Sequence, residues 1–186
     1  TLKEEYKNQI HIKIGLECEY FEKYIPWLKE TLEKYPIDYI ILGNHFDGSD
    51  ETGIYYGRSI TKEQLKKYVD DCICAMNLGI YSYIAHPDLA NYPIDDTYYV
   101  QEMTRLCKEA KKYDIPLEFN LLGYKEHRQY PNSVFFNIVK EVKNKVIIGV
   151  DAHDPQALAD KQTYQEARKC LEDLQVEVIE DIRFLR

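Results

Sequence analysis

The sequence predicts an α/β fold built on parallel β-strands, and three observations lead there. Short runs rich in Ile, Val, Tyr and Phe alternate with longer amphipathic stretches along the whole chain. The amphipathic stretches open and close on capping residues. His, Asp and Glu recur at the carboxyl ends of the short runs, which is where parallel α/β folds build their sites.

The strand-like runs are Ile10–Tyr20, Tyr39–Phe46, Tyr83–Leu89, Pro116–Leu121, Val146–His153 and Val176–Ile179. Between them lie the helical patterns. Tyr24–Tyr35 is the shortest. Ile60–Leu78 opens on the capping-box sequence Thr61-Lys62-Glu63-Gln64 and stops at Gly79. Asp95–Tyr113 starts on acidic residues and stops before Asp114-Ile115-Pro116, and Asn132–Lys143 and Asp160–Leu174 follow the same logic. Six strands fall short of an eight-stranded barrel, and periodicity alone leaves an open doubly wound sheet possible. There is no internal repeat and no Gly-, Ser- or Pro-rich linker, so residues 1–186 read as a single domain.

Composition narrows the function classes. With 186 residues, 45% apolar and 30% charged, the chain can bury a substantial core as a soluble globular domain. A formal net charge of −8 argues against a nucleic-acid partner, since phosphate backbones recruit broad basic surfaces. A small phosphorylated ligand needs only a local positive site and stays possible. Five cysteines, Cys18, Cys72, Cys74, Cys107 and Cys170, lie mostly in apolar segments and read as buried reduced thiols. Cys72 and Cys74 are two apart on a helical pattern and do not share a face. No apolar run approaches the roughly 20 residues of a membrane span, and no signal peptide is present, so a cytoplasmic protein with no membrane partner is expected. The first residue is Thr1 rather than Met, so a segment ahead of it is expected to be missing. The acidic run Asp47-Gly48-Ser49-Asp50-Glu51 lacks the spacing and terminal Glu of an EF-hand and reads as a solvated loop. Most of the seventeen tyrosines are expected to pack helix faces against the sheet, with the hydroxyl at the rim.

The chemistry clusters at strand ends. Glu17 ends the first run, His45 the second, His86 the third, where Pro87 stops it, and Asp151 and His153 the fifth. These are the normal ligands of zinc, iron and manganese. Taken singly, each is more ordinary as a surface carboxylate or a structural histidine; their recurrence on four strand ends favours a metal site. Asp151 and His153 are two apart, so a strand would project both to one face. A carboxylate such as Glu17 can bridge two ions, and paired ions are the usual device for phosphate-ester hydrolysis. Glycine stands two residues before three of these positions: Gly15 before Glu17, Gly43 before His45 and Gly149 before Asp151. Glycine weakens a strand, so room beneath a polar cluster is the expected reason. His11, before the first strand's core, and His127, in a loop, fall outside the set.

Gly15-Leu16-Glu17, Gly43-Asn44-His45-Phe46, Ala85-His86-Pro87-Asp88 and Gly149-Val150-Asp151-Ala152-His153-Asp154-Pro155 together resemble the PHP (polymerase and histidinol phosphatase) family. Leu117-Glu118-Phe119-Asn120, with Gly123 and Tyr130-Pro131, resembles its histidinol-phosphatase branch. The resemblance implies a distorted (β/α)7 TIM-like barrel of the PHP type, lacking its N-terminal strand in this chain, because the family's opening His-x-His motif has no counterpart. It implies two or three divalent transition metals (Zn, Fe or Mn). Carried over, Glu17 would bridge the first and second metals, His45 and His86 complete the second, Asp151 serve the first, and His153 the third. Glu17 and Asp151 are the implied catalytic carboxylates. Glu118 and Asn120 match a motif that is not a usual metal ligand and are read as supporting residues.

The implied activity is hydrolysis of a small phosphorylated substrate, with metal-bound hydroxide attacking phosphorus and histidinol phosphate as the substrate. Arg128, Lys125 and Arg58 are the candidates for gripping phosphate, arginine being suited to a bidentate hold. The alternatives are a phosphatase for another small phosphomonoester and a PHP-like binding module without catalysis. A nuclease is disfavoured by the acidic charge.

Overall fold

The computed structural model describes residues 1–185. Its strands form two parallel sheets joined by a bridging segment. β1 (Gly15–Cys18) pairs with β2 (Tyr39–Leu42), placing Glu17 opposite Ile41. β3 (Leu117–Asn120), β4 (Lys145–Gly149) and β5 (Glu177–Ile179) pair in that order, with Glu118 opposite Ile147 and Asn120 opposite Gly149. Between β2 and β3, Ile84 forms parallel bridges to both Leu42 and Leu117. The Ser82 N–H donates to the Ile40 carbonyl at 2.8 Å, the Ala85 N–H to Leu42 at 2.9 Å and the Glu118 N–H to Ile84 at 3.0 Å. Parallel segments therefore succeed one another in chain order, without the reversal that defines a doubly wound sheet. β1 and β5 form the outer edges. Among the described residues no pair joins them, and no closed barrel is seen.

All six expected strand runs are longer than the strands they contain, and two of them shrink the most. In Tyr83–Leu89 only Ile84 bridges its neighbours. His86 turns the chain with φ +31°, and Pro87 has no N–H to offer a ladder. In Ile10–Tyr20 only Gly15–Cys18 is strand; Ile10 and Ile14 stay exposed, and Ile14 N–H donates to the Asp38 carboxylate at 2.7 Å instead of to a ladder.

The helices form where capping and periodicity coincide. α1 (Leu2–Glu5), which the sequence pattern does not announce, is a single turn capped by Thr1. α2 (Ile25–Lys34) starts with Pro26 in its first turn and buries Ile25, Leu28 and Leu32. α3 (Lys62–Asn77) carries the complete Thr61/Gln64 capping box, and Gly79 follows at φ +68°, the left-handed stop that glycine adopts freely. Its buried Leu65, Tyr68, Val69, Cys72, Ala75 and Met76 recur at helical spacing, while Cys74 faces out. α4 (Thr97–Lys112) is capped by Asp96 and buries Tyr99, Met103, Leu106, Cys107 and Ala110. The short α5 (Leu121–Lys125), also unannounced, starts directly from β3, with the Asn120 carboxamide accepting the Gly123 N–H. α6 (Ser133–Val142), capped by Asn132, and α7 (Lys161–Leu174), capped by Asp160, complete the set.

α3, α4 and α6 pack side by side, and their buried faces join the sheet in one core. Each fully buried Leu, Met or Phe there, such as Leu65, Met103 or Phe135, contributes about 1.5–3 kcal/mol of transfer free energy. Tyr56, Tyr68, Tyr81 and Tyr99 lie fully inside this core rather than at its rim. The Tyr68 hydroxyl reaches the Pro87 carbonyl at 2.9 Å, and the Tyr99 oxygen accepts from Asn132 at 2.8 Å. The C-terminal stretch crosses the amino ends of the strands: Leu185 N–H donates to Asp38 O at 2.7 Å and Ser82 Oγ to Arg183 O at 2.6 Å. The carboxyl ends are left for the site. No helix among the described residues is long and apolar enough to cross a membrane.

Candidate metal centre

The carboxyl ends of the strands open on a cavity of about 350 Å³ lined by Glu17, Glu19, Gly43, His45, Tyr55, His86, Leu89, Arg128, Tyr130, Asp151 and His153. A larger depression lies outside the strand row against α2; it is lined mainly by apolar side chains such as Leu16, Phe21 and Trp27 and carries no comparable set of polar groups.

At the centre of the polar cavity, Glu17 Oε1 lies 3.1 Å from His86 Nε2 and 3.4 Å from His45 Nε2. These three side chains offer ligand atoms within 4.8 Å of one another. The two imidazoles lie tilted at 58° to each other with centroids 4.6 Å apart. Two imidazole nitrogens and a carboxylate oxygen converging at this range form a donor set that fits a divalent transition metal. Across the cavity, Asp151 Oδ1 lies 3.2 Å from His153 Nε2. Neither residue is on a strand: β4 ends at Gly149, and Asp151 turns the chain at φ +49°. His86 and Asp151, both non-glycine residues at positive φ, hold conformations that cost about 1–3 kcal/mol each and cluster at functional positions.

A buried layer of polar groups stands behind these side chains. Glu118 Oε2 accepts the His86 N–H at 2.7 Å and the Asn120 amide at 2.9 Å. The same Asn120 amide reaches Asp151 Oδ2 at 3.1 Å. Burial raises the Glu118 carboxyl above its ordinary range, against the pull of His86. At Glu17 burial acts upward too, but the His86 bond and the charges of His86, His45 and His153 outweigh it and hold the carboxyl low. At His86 burial acts downward, and the Glu17 bond with the Glu118, Glu17 and Asp151 charges raises it. Glu17, Glu19, Glu118 and Asp151 thus crowd negative charge into one space, which a divalent cation would relieve.

The glycine pattern has a steric cause. A Cβ on Gly43 would overlap the Glu17 carboxylate, and one on Gly149 would overlap the Glu118 carboxylate. Gly15 differs, since its Cβ would meet the Tyr39 ring rather than a carboxylate.

Asp88, two residues past His86, is fully buried; its Oδ2 accepts the Asn132 N–H at 2.7 Å and the Asn132 amide at 3.1 Å, and Oδ1 has no partner. Burial pushes its carboxyl up to about 7. The folded chain then keeps a proton that the unfolded chain releases near the ordinary 3.8. The stabilising contribution is complete below that lower value and is lost as pH rises through the higher one. Asp88→Asn is expected to flatten the fall in unfolding free energy over this window, compared by urea denaturation at the two ends of it. An unchanged slope contradicts the reading.

A family model described as "PHP domain" matches residues 1–122. The chain belongs to the PHP family. Two solved structures share the PHP fold seen here. One is from Lactococcus lactis subsp. lactis Il1403, a histidinol phosphate phosphatase complexed with zinc, L-histidinol and phosphate. It aligns at TM-score 0.73 and 20% identity over 100% of this chain and 76% of that one. The other is a protein assigned as the histidinol phosphatase HisK from Listeria monocytogenes, at TM-score 0.68 and 21% identity over 89% of this chain and 71% of that one. No curated protein matches the chain in sequence.

Glu17, His45, His86, Asp151 and His153 all line this cavity, the first three as a tight group. His153 is the least enclosed, its side chain 78% exposed. Of the expected phosphate-binding cations, Arg128 lines the cavity, held by Glu126 at 2.6 Å and donating to the Tyr130 hydroxyl at 2.9 Å. Lys125 is directed elsewhere, paired with Asp160 at 2.6 Å, and Arg58 is exposed and outside the cavity lining. His11 and His127 are exposed. The sequence pattern overlooks Glu19, Tyr55 and Tyr130. Glu19 carried a readable signal, because alternation along a strand puts it on the same side as Glu17. Tyr130, packed 5.5 Å from the His86 ring, carried none beyond its place before Pro131.

Proposed function

We propose that this PHP chain is a metal-dependent phosphomonoester hydrolase whose substrate is histidinol phosphate. The observation that carries the reading is the convergence of Glu17, His45 and His86 on one point, facing Asp151, His153 and Arg128 across a single cavity. Glu17, His45 and His86 would hold one divalent ion, and Asp151 and His153, with Glu17, would contribute to a second or third, zinc, iron or manganese. Divalent ions held there would supply positive charge to a transferring phosphoryl group and would lower the pKa of water. Glu17 and Asp151 are the carboxylates assigned to the reaction. Arg128 grips phosphate oxygens, fixed in direction by Glu126 and Tyr130, and Asn120 holds Asp151 in place. Leu89, Tyr55 and Tyr130 restrict water on the remaining walls. The Lactococcus lactis relative, with zinc, L-histidinol and phosphate bound, supports this substrate class. The strands are read as part of a distorted barrel within a single domain, in a cytoplasmic protein whose five free thiols stay reduced.

The test is phosphate release from histidinol phosphate by the chain with and without added zinc. Release is expected with zinc and lost on chelation, and Arg128→Ala is expected to raise KM in the same assay. The exposure of His153, which leaves the Asp151 side of the cavity open, favours a second reading, a PHP module that binds metal without turnover. Zinc uptake with no hydrolysis of any phosphomonoester would select it.

A further inference from the structure

We propose that Glu19 is a positioning residue for the metal centre, locking the His45 imidazole so that Nε2 faces the ion. The proposal rests on the metal-dependent reading above and extends it to a residue outside the converging ligand group. One carboxylate grips His45 twice. Glu19 Oε1 lies 2.7 Å from the ring Nδ1, and Glu19 Oε2 accepts the His45 main-chain N–H at 2.9 Å. An ionised carboxylate only accepts, so the ring proton belongs on Nδ1 and the lone pair on Nε2, the atom directed at Glu17. With both oxygens committed to the same residue, ring and backbone are fixed together.

The neighbouring histidine is held differently, which makes the role of Glu19 specific. The His86 ring is 3% exposed, packed against Tyr130, and its Nδ1 has no partner; its carboxylate support, from Glu118, reaches only the main chain. Packing fixes that ring. The His45 side chain is 27% exposed and less enclosed, its ring touched by His86 and Phe46, so the Glu19 bond adds the restraint on its Nδ1 edge that packing does not supply. Glu19 directly follows β1, and the Tyr81 hydroxyl donates to its carbonyl at 3.3 Å. A merely structural role, closing the end of β1 onto the loop after β2, would need only the bond to the His45 main chain.

The experiment is zinc affinity, measured by competition with a chromophoric chelator, for the parent chain, Glu19→Ala, Glu19→Gln and Glu19→Asp, with the visible spectrum of the cobalt-loaded forms. Glu19→Ala is expected to weaken zinc binding by about 10–100-fold, the usual cost of losing a partner that orients a metal-bound histidine. Its cobalt bands are expected to shift. Glu19→Gln, whose amide oxygen still accepts from Nδ1–H, should recover part of the affinity. Glu19→Asp keeps the charge but falls short of the ring, and it should lose affinity as Ala does; it decides the matter if the Ala variant fails to fold. Parent-like zinc affinity and cobalt spectra in the folded Ala or Asp variant would overturn the proposal while leaving the metal centre intact. A parent chain that takes up no zinc would overturn the metal reading and the proposal together.

Discussion

His86→Ala is expected to strip the centre of its metal and to lower phosphate release by more than the roughly 10–100-fold that an outer partner of a ligand is worth. His86 contributes one of two imidazole nitrogens near Glu17 Oε1, at 3.1 Å, and its ring faces both His45 and Tyr130. Removing it leaves Glu17 and His45 as a two-atom site, too few donors to hold a zinc ion firmly. It also removes the His86 bond, one of the interactions with His86, His45 and His153 that hold the Glu17 carboxyl low. Elemental analysis of the purified variant and a phosphate-release assay check both halves. A variant that retains the parent's zinc content and rate would exclude His86 from the centre.

Gly149→Ala has the second large effect, on folding as well as on the site. The added methyl falls on the Glu118 carboxylate, which is fully buried and already bonded to the His86 N–H and to Asn120. Glu118 cannot swing into solvent, so either β3 and β4 part or those bonds break. Overpacking of this kind costs about 1–3 kcal/mol, and an abandoned buried N–H adds about 1–3 kcal/mol. Gly15→Ala provides the contrast. Its methyl would meet the far end of the partly exposed Tyr39 side chain, which can move, so a smaller loss is expected. Urea midpoints of the two variants make the comparison. Equal losses would mean that the buried carboxylate is not what requires glycine at 149.

The element order was legible because periodicity and capping are local. Thr61 with Gln64, Asp96, Asn132 and Asp160 cap helices where the sequence places them, and the apolar spacing of α3, α4 and α6 selects the buried faces. Leu2–Glu5 and Leu121–Lys125 escaped notice because a single turn offers too little periodicity. Pro87 marked the stop of the third run at His86; what the local sequence did not show is that pairing shrinks to Ile84 alone and that His86 itself turns the chain.

At the site, residue type and position at strand ends were enough to nominate Glu17, His45, His86, Asp151 and His153, since parallel strands in series bring their carboxyl ends to one side. Sequence order could not rank the loop cations. Lys125 and Arg128 are three residues apart, yet Asp160 on a distant turn captures the first, while Glu126 and Tyr130 hold the second over the cavity. The sequence by itself determined the kinds of element, their order and the donors carried at their ends, because these follow from backbone period and side-chain chemistry over a few neighbouring residues. Only the tertiary structure decided which oxygens and nitrogens meet, that Glu19 holds His45 and that Glu118 fills the space left by Gly149. Those contacts join segments tens of residues apart, and their distances depend on how the strands pair and how the loops between them turn.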